Sequence, residues 1–143
     1  MYYLSEYSEN KLSTCAEPLQ RIAHATIQAV DFKVICGHRG EIAQNEAYNT
    51  GHSDKKWPDG KHNVSPSLAI DIVPWHSKFP NIRWEDTDSF IYLAGHILMS
   101  AHLLGISLRW GRDWNMNDNL NDEHFFDWGH FELTGSPYDS KKG

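Results

Sequence analysis

The sequence predicts an α+β fold, and three observations lead to it. Helical periodicity comes first along the chain: Leu19, Ile22, Ala23, Thr26, Ile27 and Val30 make one apolar face. Short apolar runs bounded by Gly or Pro follow and read as strands. One long helical pattern lies among those strands. Helices first, then strands mixed with a single long helix, match the α+β class.

The elements follow in order. From about Ser8 the chain reads as helix, with Ser8 as its N-cap ahead of Lys11 and Leu12. Glu17-Pro18 starts a second helix, since proline is tolerated in a first turn. Phe32 to Cys36 is a strand ended by Gly37, and Glu41 to Asn49 suits a helix with Gly51 as its stop. Gly51 to Pro66, rich in Gly, Pro, Asp, Ser and Lys, is a loop. Ser67 to Val73 reads as a strand stopped by Pro74. Asp86 or Thr87 caps a long helix through Ile91, Ala94, Leu98, Ala101 and Leu104, closed by Gly105. Ile106 to Trp110 is a short strand, and after an Asn- and Asp-rich loop Gly129 to Leu133 gives the last. No repeat, low-complexity segment or linker divides the chain, so residues 1–143 are expected to form one domain.

A chain of 143 residues can bury a core without staples. Six Trp, six Tyr and six Phe supply much buried area per side chain, and such residues also line clefts. The net charge of −6 with neutral histidines argues against general nucleic-acid binding, which needs clustered Lys and Arg. The basic runs are no longer than the pairs Lys55-Lys56 and Lys141-Lys142. Cys15 and Cys36 are too few for a disulfide-stapled scaffold, and Cys36 in its apolar run reads as a buried free thiol. Met1 to Asn10 holds two Glu and no apolar core, so no secretory signal opens the chain and synthesis in the cytoplasm is expected. No stretch approaches the roughly 20 apolar residues of a membrane span, so no membrane insertion is expected.

Nine histidines are present, and most have ordinary readings. His24, His96 and His102 fall in helices as surface or packed residues, while His52, His76 and His124 sit in polar loops. Two stand in company. His62 ends the long loop and is followed by Ala69-Ile70-Asp71-Ile72-Val73, where an Asp in so apolar a strand needs a cation or several hydrogen bonds. His130 lies in Asp127-Trp128-Gly129-His130-Phe131-Glu132-Leu133, sharing one strand face with Glu132, with Asp127 just ahead of the strand. Two His and one carboxylate from separate segments match the three-ligand arrangement of catalytic zinc, which leaves a position for water. A closed structural zinc site would want four ligands with Cys, and neither Cys has such spacing. Long-range His/Asp triplets also arise without a metal.

The stretch His62 to Asp71 with Asp127-Trp128-Gly129-His130 resembles the metal signature of the M15 zinc peptidases. That family holds D-alanyl-D-alanine carboxypeptidases and dipeptidases, and phage endolysins that are L-alanyl-D-glutamate peptidases. Gly37-His38-Arg39, Ala69 to Pro74 and Leu108 to Asn115 carry the likeness further, so that it runs from about Ser8 to Leu133 and is strongest to the endolysin branch. The resemblance implies a small antiparallel sheet with helices packed around it and a zinc site at the sheet, as in hedgehog-like domains. It implies His62, Asp71 and His130 as zinc ligands, Asp127 as general base and Arg39 as oxyanion stabiliser. It also implies a peptidoglycan endopeptidase that cuts the L-Ala–D-Glu bond of stem peptides for host lysis. Such an enzyme is expected to act as a monomer without a separate cell-wall-binding module, reaching the wall or periplasm through a separate holin-like protein. Three departures bear on substrate contacts: eight residues separate His62 from Asp71 where six are common, Gly60 stands where Ser is usual, and Gly40 where Ser or Thr is common.

Asp113, Asn115 and Asn117 place oxygens at alternate positions with Asp122 close behind, an opening that resembles a calcium loop. Asp118 replaces the usual glycine and His124 the last Glu, so a solvated loop is the alternative to a second cation site. Trp128, between base and ligand, is the tryptophan expected near substrate. Arg109 and Arg112 suit either substrate carboxylates or ordinary ion pairs. The rival functions are a D-Ala-D-Ala carboxypeptidase or dipeptidase, a zinc-containing non-catalytic binding module like the hedgehog domain, and more distantly a metal-dependent nuclease. Asp127 and Arg39 beside the ligands favour catalysis, because a scaffold needs neither.

Overall fold

The computed structural model describes residues 1–79 and 81–138, and the Lys141-Lys142 pair lies outside them. The elements run α1 (Glu6–Leu12), α2 (Glu17–Thr26), β1 (Phe32–Cys36), α3 (Glu41–Asn49), β2 (Ala69–Pro74), α4 (Thr87–Leu104), β3 (Leu108–Trp110) and β4 (His130–Leu133). Single 3-10 turns occur at Lys61–Asn63 and Leu120–Asp122. The strands form one antiparallel sheet in the order β1-β2-β4-β3. The α+β expectation holds.

Phe32, Val34, Ile70, Ile72, Phe131 and Leu133 alternate onto one face of the sheet and pack into a single core with α2 and α4. Those helices contribute Leu19, Ile22 and Ala23, and Leu93, Ala94, Ile97 and Ala101. The period of two sends Asp71, His130 and Glu132 to the opposite face, and Asp71 stands directly across from His130. Register thus delivers two candidate ligands to one spot. Among the described residues no helix is long and apolar enough to cross a membrane.

Several boundaries differ from expectation, among them the end of β2, which runs through Pro74, and the start of β4 at His130. Helix α1 starts earlier, because Ser5 is the N-cap and its hydroxyl accepts from Ser8 N–H at 3.1 Å. Ser8 is buried, and its hydroxyl accepts from Val34 N–H at 3.0 Å, satisfying a donor on the edge of β1. Strand β2 begins at Ala69 because the Ser67 hydroxyl donates to the Ala69 carbonyl at 2.6 Å and turns the chain there. Strand β3 begins at Leu108 because Ile106 N–H closes α4 on the Ala101 carbonyl at 2.9 Å, next to Gly105 at φ +72°. Asp86 caps α4 as expected.

Candidate metal centre

His62 sits in the buried 3-10 turn, Asp71 in the middle of β2 and His130 at the start of β4. Their inward atoms form a nearly equilateral triangle. His62 Nε2 lies 3.1 Å from Asp71 Oδ1 and 3.2 Å from His130 Nδ1, and His130 Nδ1 lies 3.2 Å from Asp71 Oδ1. Tetrahedral zinc, with bonds of about 2.0–2.1 Å, separates neighbouring ligand atoms by about 3.3–3.4 Å. The triangle fits such an ion with little adjustment.

The outward nitrogens are engaged in the way metal-binding histidines require. His62 Nδ1 donates to the Gly37 carbonyl at 2.7 Å, and His130 Nε2 donates to Glu132 Oε1 at 2.8 Å. Each bond leaves the inward nitrogen as a lone pair. Gly37 is fixed by packing: a Cβ there would overlap Thr14 Oγ1 and lie 2.6 Å from the Lys11 carbonyl at the α1–α2 junction.

Electrostatics calls for positive charge inside the triangle. Burial alone would lower both imidazole pKa values, yet the Asp71 carboxylate and its hydrogen bonds raise His62 to about 9 and, with Glu132, His130 to about 10. Burial would raise Asp71, but the two imidazoles hold it far below the carboxylate range. A divalent cation satisfies the same demand that protons meet here.

Asp127 is brought beside the triangle: its carboxylate, Asp71 and His130 offer ligand atoms within 4.8 Å of one another. Burial, then the Asp71 charge, push it up to about 6, where a carboxylate can exchange protons near neutral pH. Arg39 also reaches the centre. One nitrogen lies 3.2 Å from Asp71 Oδ2, and the other donates to Gln44 Oε1 at 3.2 Å. In this structure the guanidinium therefore braces the ligand carboxylate from its outer oxygen.

Cys36 makes a second group with His62 and Asp71. Its sulfur is 3.8 Å from His62 Nδ1, the outward nitrogen, so it lies behind the triangle. Both cysteines are free thiols.

Some residues were not singled out by sequence. Lys61 is wholly buried beside Glu132, and Gly111 touches the Asp127 loop. Their one sequence signal is adjacency, Lys61 preceding a ligand and Glu132 following one by two. Burial would raise Glu132, but His130, Lys61 and Arg109 hold it down to about 2. Arg109 is thus an internal ion-pair partner, with its nitrogen 3.0 Å from Glu132 Oε2. Arg112 lies over the Phe126 and Trp128 rings at 3.9 and 5.0 Å. Trp128 is half-buried beside the base, and its carbonyl accepts from Trp110 Nε1 at 2.8 Å.

The Asn-rich loop gathers its side chains. Asn115 and Asn117 donate to Asp122 Oδ2 at 3.1 and 2.6 Å, and the buried Asp113 carboxylate accepts from Asn117 and Asp118 N–H at 3.3 and 2.9 Å. Met116 and Asp118 take positive φ to make this turn.

A family model described as phage L-alanyl-D-glutamate peptidase matches residues 1–134. The L-alanyl-D-glutamate peptidase of Escherichia phage T5 is 32% identical over 134 residues, covering 89% of this chain and 94% of that protein. Among solved structures, the Serratia marcescens L-Ala D-Glu endopeptidase ChiX is similar with a TM-score of 0.72 at 24% identity, over 94% of this chain and 90% of its own.

Proposed function

The chain belongs to the phage L-alanyl-D-glutamate peptidases, and from that premise we propose that it hydrolyses the L-Ala–D-Glu bond of peptidoglycan stem peptides with one zinc held by His62, Asp71 and His130. The observation that carries the metal assignment is the triangle of ligand atoms with edges of 3.1–3.2 Å. Bound there, zinc supplies Lewis acidity, polarising the scissile carbonyl and bringing a water pKa toward about 7.

The chain's own residues do the rest. Asp127 accepts the proton of the attacking water and delivers it to the leaving D-Glu nitrogen, a role worth roughly 10²–10⁴-fold. Its elevated pKa suits both halves of that exchange. Arg39 keeps Asp71 oriented, and its cationic edge stabilises charge growing on the carbonyl oxygen. Trp128 and the Arg112-backed ring of Phe126 flank the base and offer an apolar wall to the substrate. Residues 1–143 act as one peptidase domain, a monomer that reaches the wall during host lysis with the help of a holin-like protein. The gathered side chains of Asp113, Asn115, Asn117 and Asp122 are proposed as a second, calcium-type site, tested by calcium titration of wild type against Asp122→Ala.

Two measurements test the main reading. Digested sacculi analysed by mass spectrometry should show new N-terminal D-Glu, whereas released D-Ala would assign the carboxypeptidase reaction. Elemental analysis should find one zinc per chain, lost in His130→Ala. Equal zinc in both proteins would sink the ligand assignment.

A further inference from the structure

Two charged residues beside the triangle are sealed from water. Lys61 and Glu132 are each 0% exposed, and Lys61 Nζ lies 3.5 Å from Glu132 Oε2. Lys61 also donates to the Leu133 carbonyl, and Arg109 Nη1 reaches Glu132 Oε2 at 3.0 Å. The other oxygen of Glu132 takes the His130 Nε2 proton at 2.8 Å. A buried ion pair seldom stabilises a fold more than apolar residues of the same volume would. Its presence here is better explained by what it holds in place.

Imidazole has two neutral tautomers, and which nitrogen keeps the proton is set by the partner of the other. The inward atom of His130 is Nδ1, which must be bare to bind a metal. A carboxylate fixed at Nε2 secures that, and it also sets the ring's rotation. Two cations on the far oxygen hold the carboxylate still. Lys61 adjoins His62 in sequence, so the same ion pair joins the turn carrying the first ligand to the strand carrying the last.

We propose that the Lys61–Glu132–Arg109 triad positions His130 as a metal ligand, and that the buried Lys61–Glu132 pair fixes the spacing between the His62 and His130 nitrogens. The proposal rests on the ligand assignment above. Glu132 is a positioning residue: it acts through His130 and touches no substrate.

The test uses the full chain, zinc competition against a chromophoric chelator, and ¹⁵N NMR of the histidine rings. Zinc-loaded wild type should show His130 protonated at Nε2 and bare at Nδ1. Glu132→Gln should bind zinc about 10–100-fold more weakly, with His130 no longer confined to one tautomer. Because that variant removes the carboxylate facing the buried Lys61, Lys61→Met/Glu132→Gln is made beside it, removing the pair as a unit. The double variant should fold and show the same loss of zinc affinity. Wild-type affinity in the folded double variant, with zinc still lost in His130→Ala, overturns the proposal and leaves the ligand assignment standing. If neither variant folds, the wild-type spectrum decides: an Nδ1-protonated His130 overturns it and an Nε2-protonated one supports it. Wild type that takes up no zinc removes the ligand assignment and the proposal together.

Discussion

Replacing Gly111 by alanine probes how closely the general base is held. Gly111 follows β3 and is pressed against the loop that carries Asp127. A Cβ built on it would overlap the Asp127 carbonyl oxygen and stand 3.0 Å from Asp127 Cβ and 3.1 Å from His130 Cβ. Two backbone bonds of 2.8 Å lock the same place, Gly111 N–H to the His130 carbonyl and Asp127 N–H to the Gly111 carbonyl. The obstacle is main chain, so no rotamer relieves it. The base loop must retreat by about 1 Å, and a displacement of that size costs about 10²-fold in rate. Overpacking adds about 1–3 kcal/mol of destabilisation, or about 3–12 °C in Tm for a domain of this size. Gly95→Ala is the control: nothing lies within 4 Å of its Cβ position in α4, so it should gain about 0.5–1 kcal/mol and leave kcat alone. The assays are kcat on a soluble stem peptide at saturating zinc and thermal unfolding followed by circular dichroism. Gly111→Ala with wild-type kcat and Tm would refute the close-approach argument.

Other outcomes follow from the same geometry. Asp127→Asn should keep zinc and lose about 10²-fold or more in kcat, because an amide cannot accept the water proton; near-normal turnover would assign the base elsewhere. Since burial and Asp71 raise Asp127 to about 6 and the base works deprotonated, kcat/KM should fall as pH drops through that region. Bound dication draws the limb to about 6 or below, and the limb should vanish in Asp127→Asn; its persistence would point to a different group. Arg39→Lys should cut kcat by about 10²-fold with KM little changed, since one ammonium cannot span Asp71 and Gln44 as the two guanidinium nitrogens do. A raised KM at unchanged kcat would instead make Arg39 a substrate-carboxylate ligand. Cys15, with its thiol pushed up to about 12 chiefly by burial, should resist thiol reagents in the native protein and react only after denaturation.

Periodicity and punctuation made most of the fold legible. The apolar stripe of α2, the bounds of α3 and the Asp86–Gly105 limits of α4 are local properties that neighbouring residues declare. At α1 expectation slipped because a side chain had a distant partner: Ser8 serves Val34 of β1, so a good capping residue was spent on an edge strand, whereas the starts of β2 and β3 are set by local bonds. The candidate site divides the same way. Asp71 betrayed itself by charge in an apolar strand, and His130 by its acidic neighbours. Lys61 did not, and Glu132 showed only its place on the His130 face, because nothing local tells a buried lysine or glutamate from a solvated one. Gly111 and Gly37 matter through contacts made across the sheet and with the helices, which one-dimensional spacing does not encode.

The packing of Gly37 against the end of α1 and the α1–α2 junction reaches beyond the glycine itself. Its carbonyl orients His62, and its position is dictated by Lys11, Thr14 and Cys15, residues with no place in the chemistry. A fragment cut to begin at β1 would retain every ligand, the base and the whole sheet. It would nonetheless lack the wall that stops this carbonyl from drifting away from the imidazole. Any transplantable version of the enzyme, fused to another targeting segment or circularly permuted, must therefore carry the leading helical pair as part of its working parts. Trimming that pair as a dispensable leader would leave a protein with all its named functional residues and a first ligand free to turn.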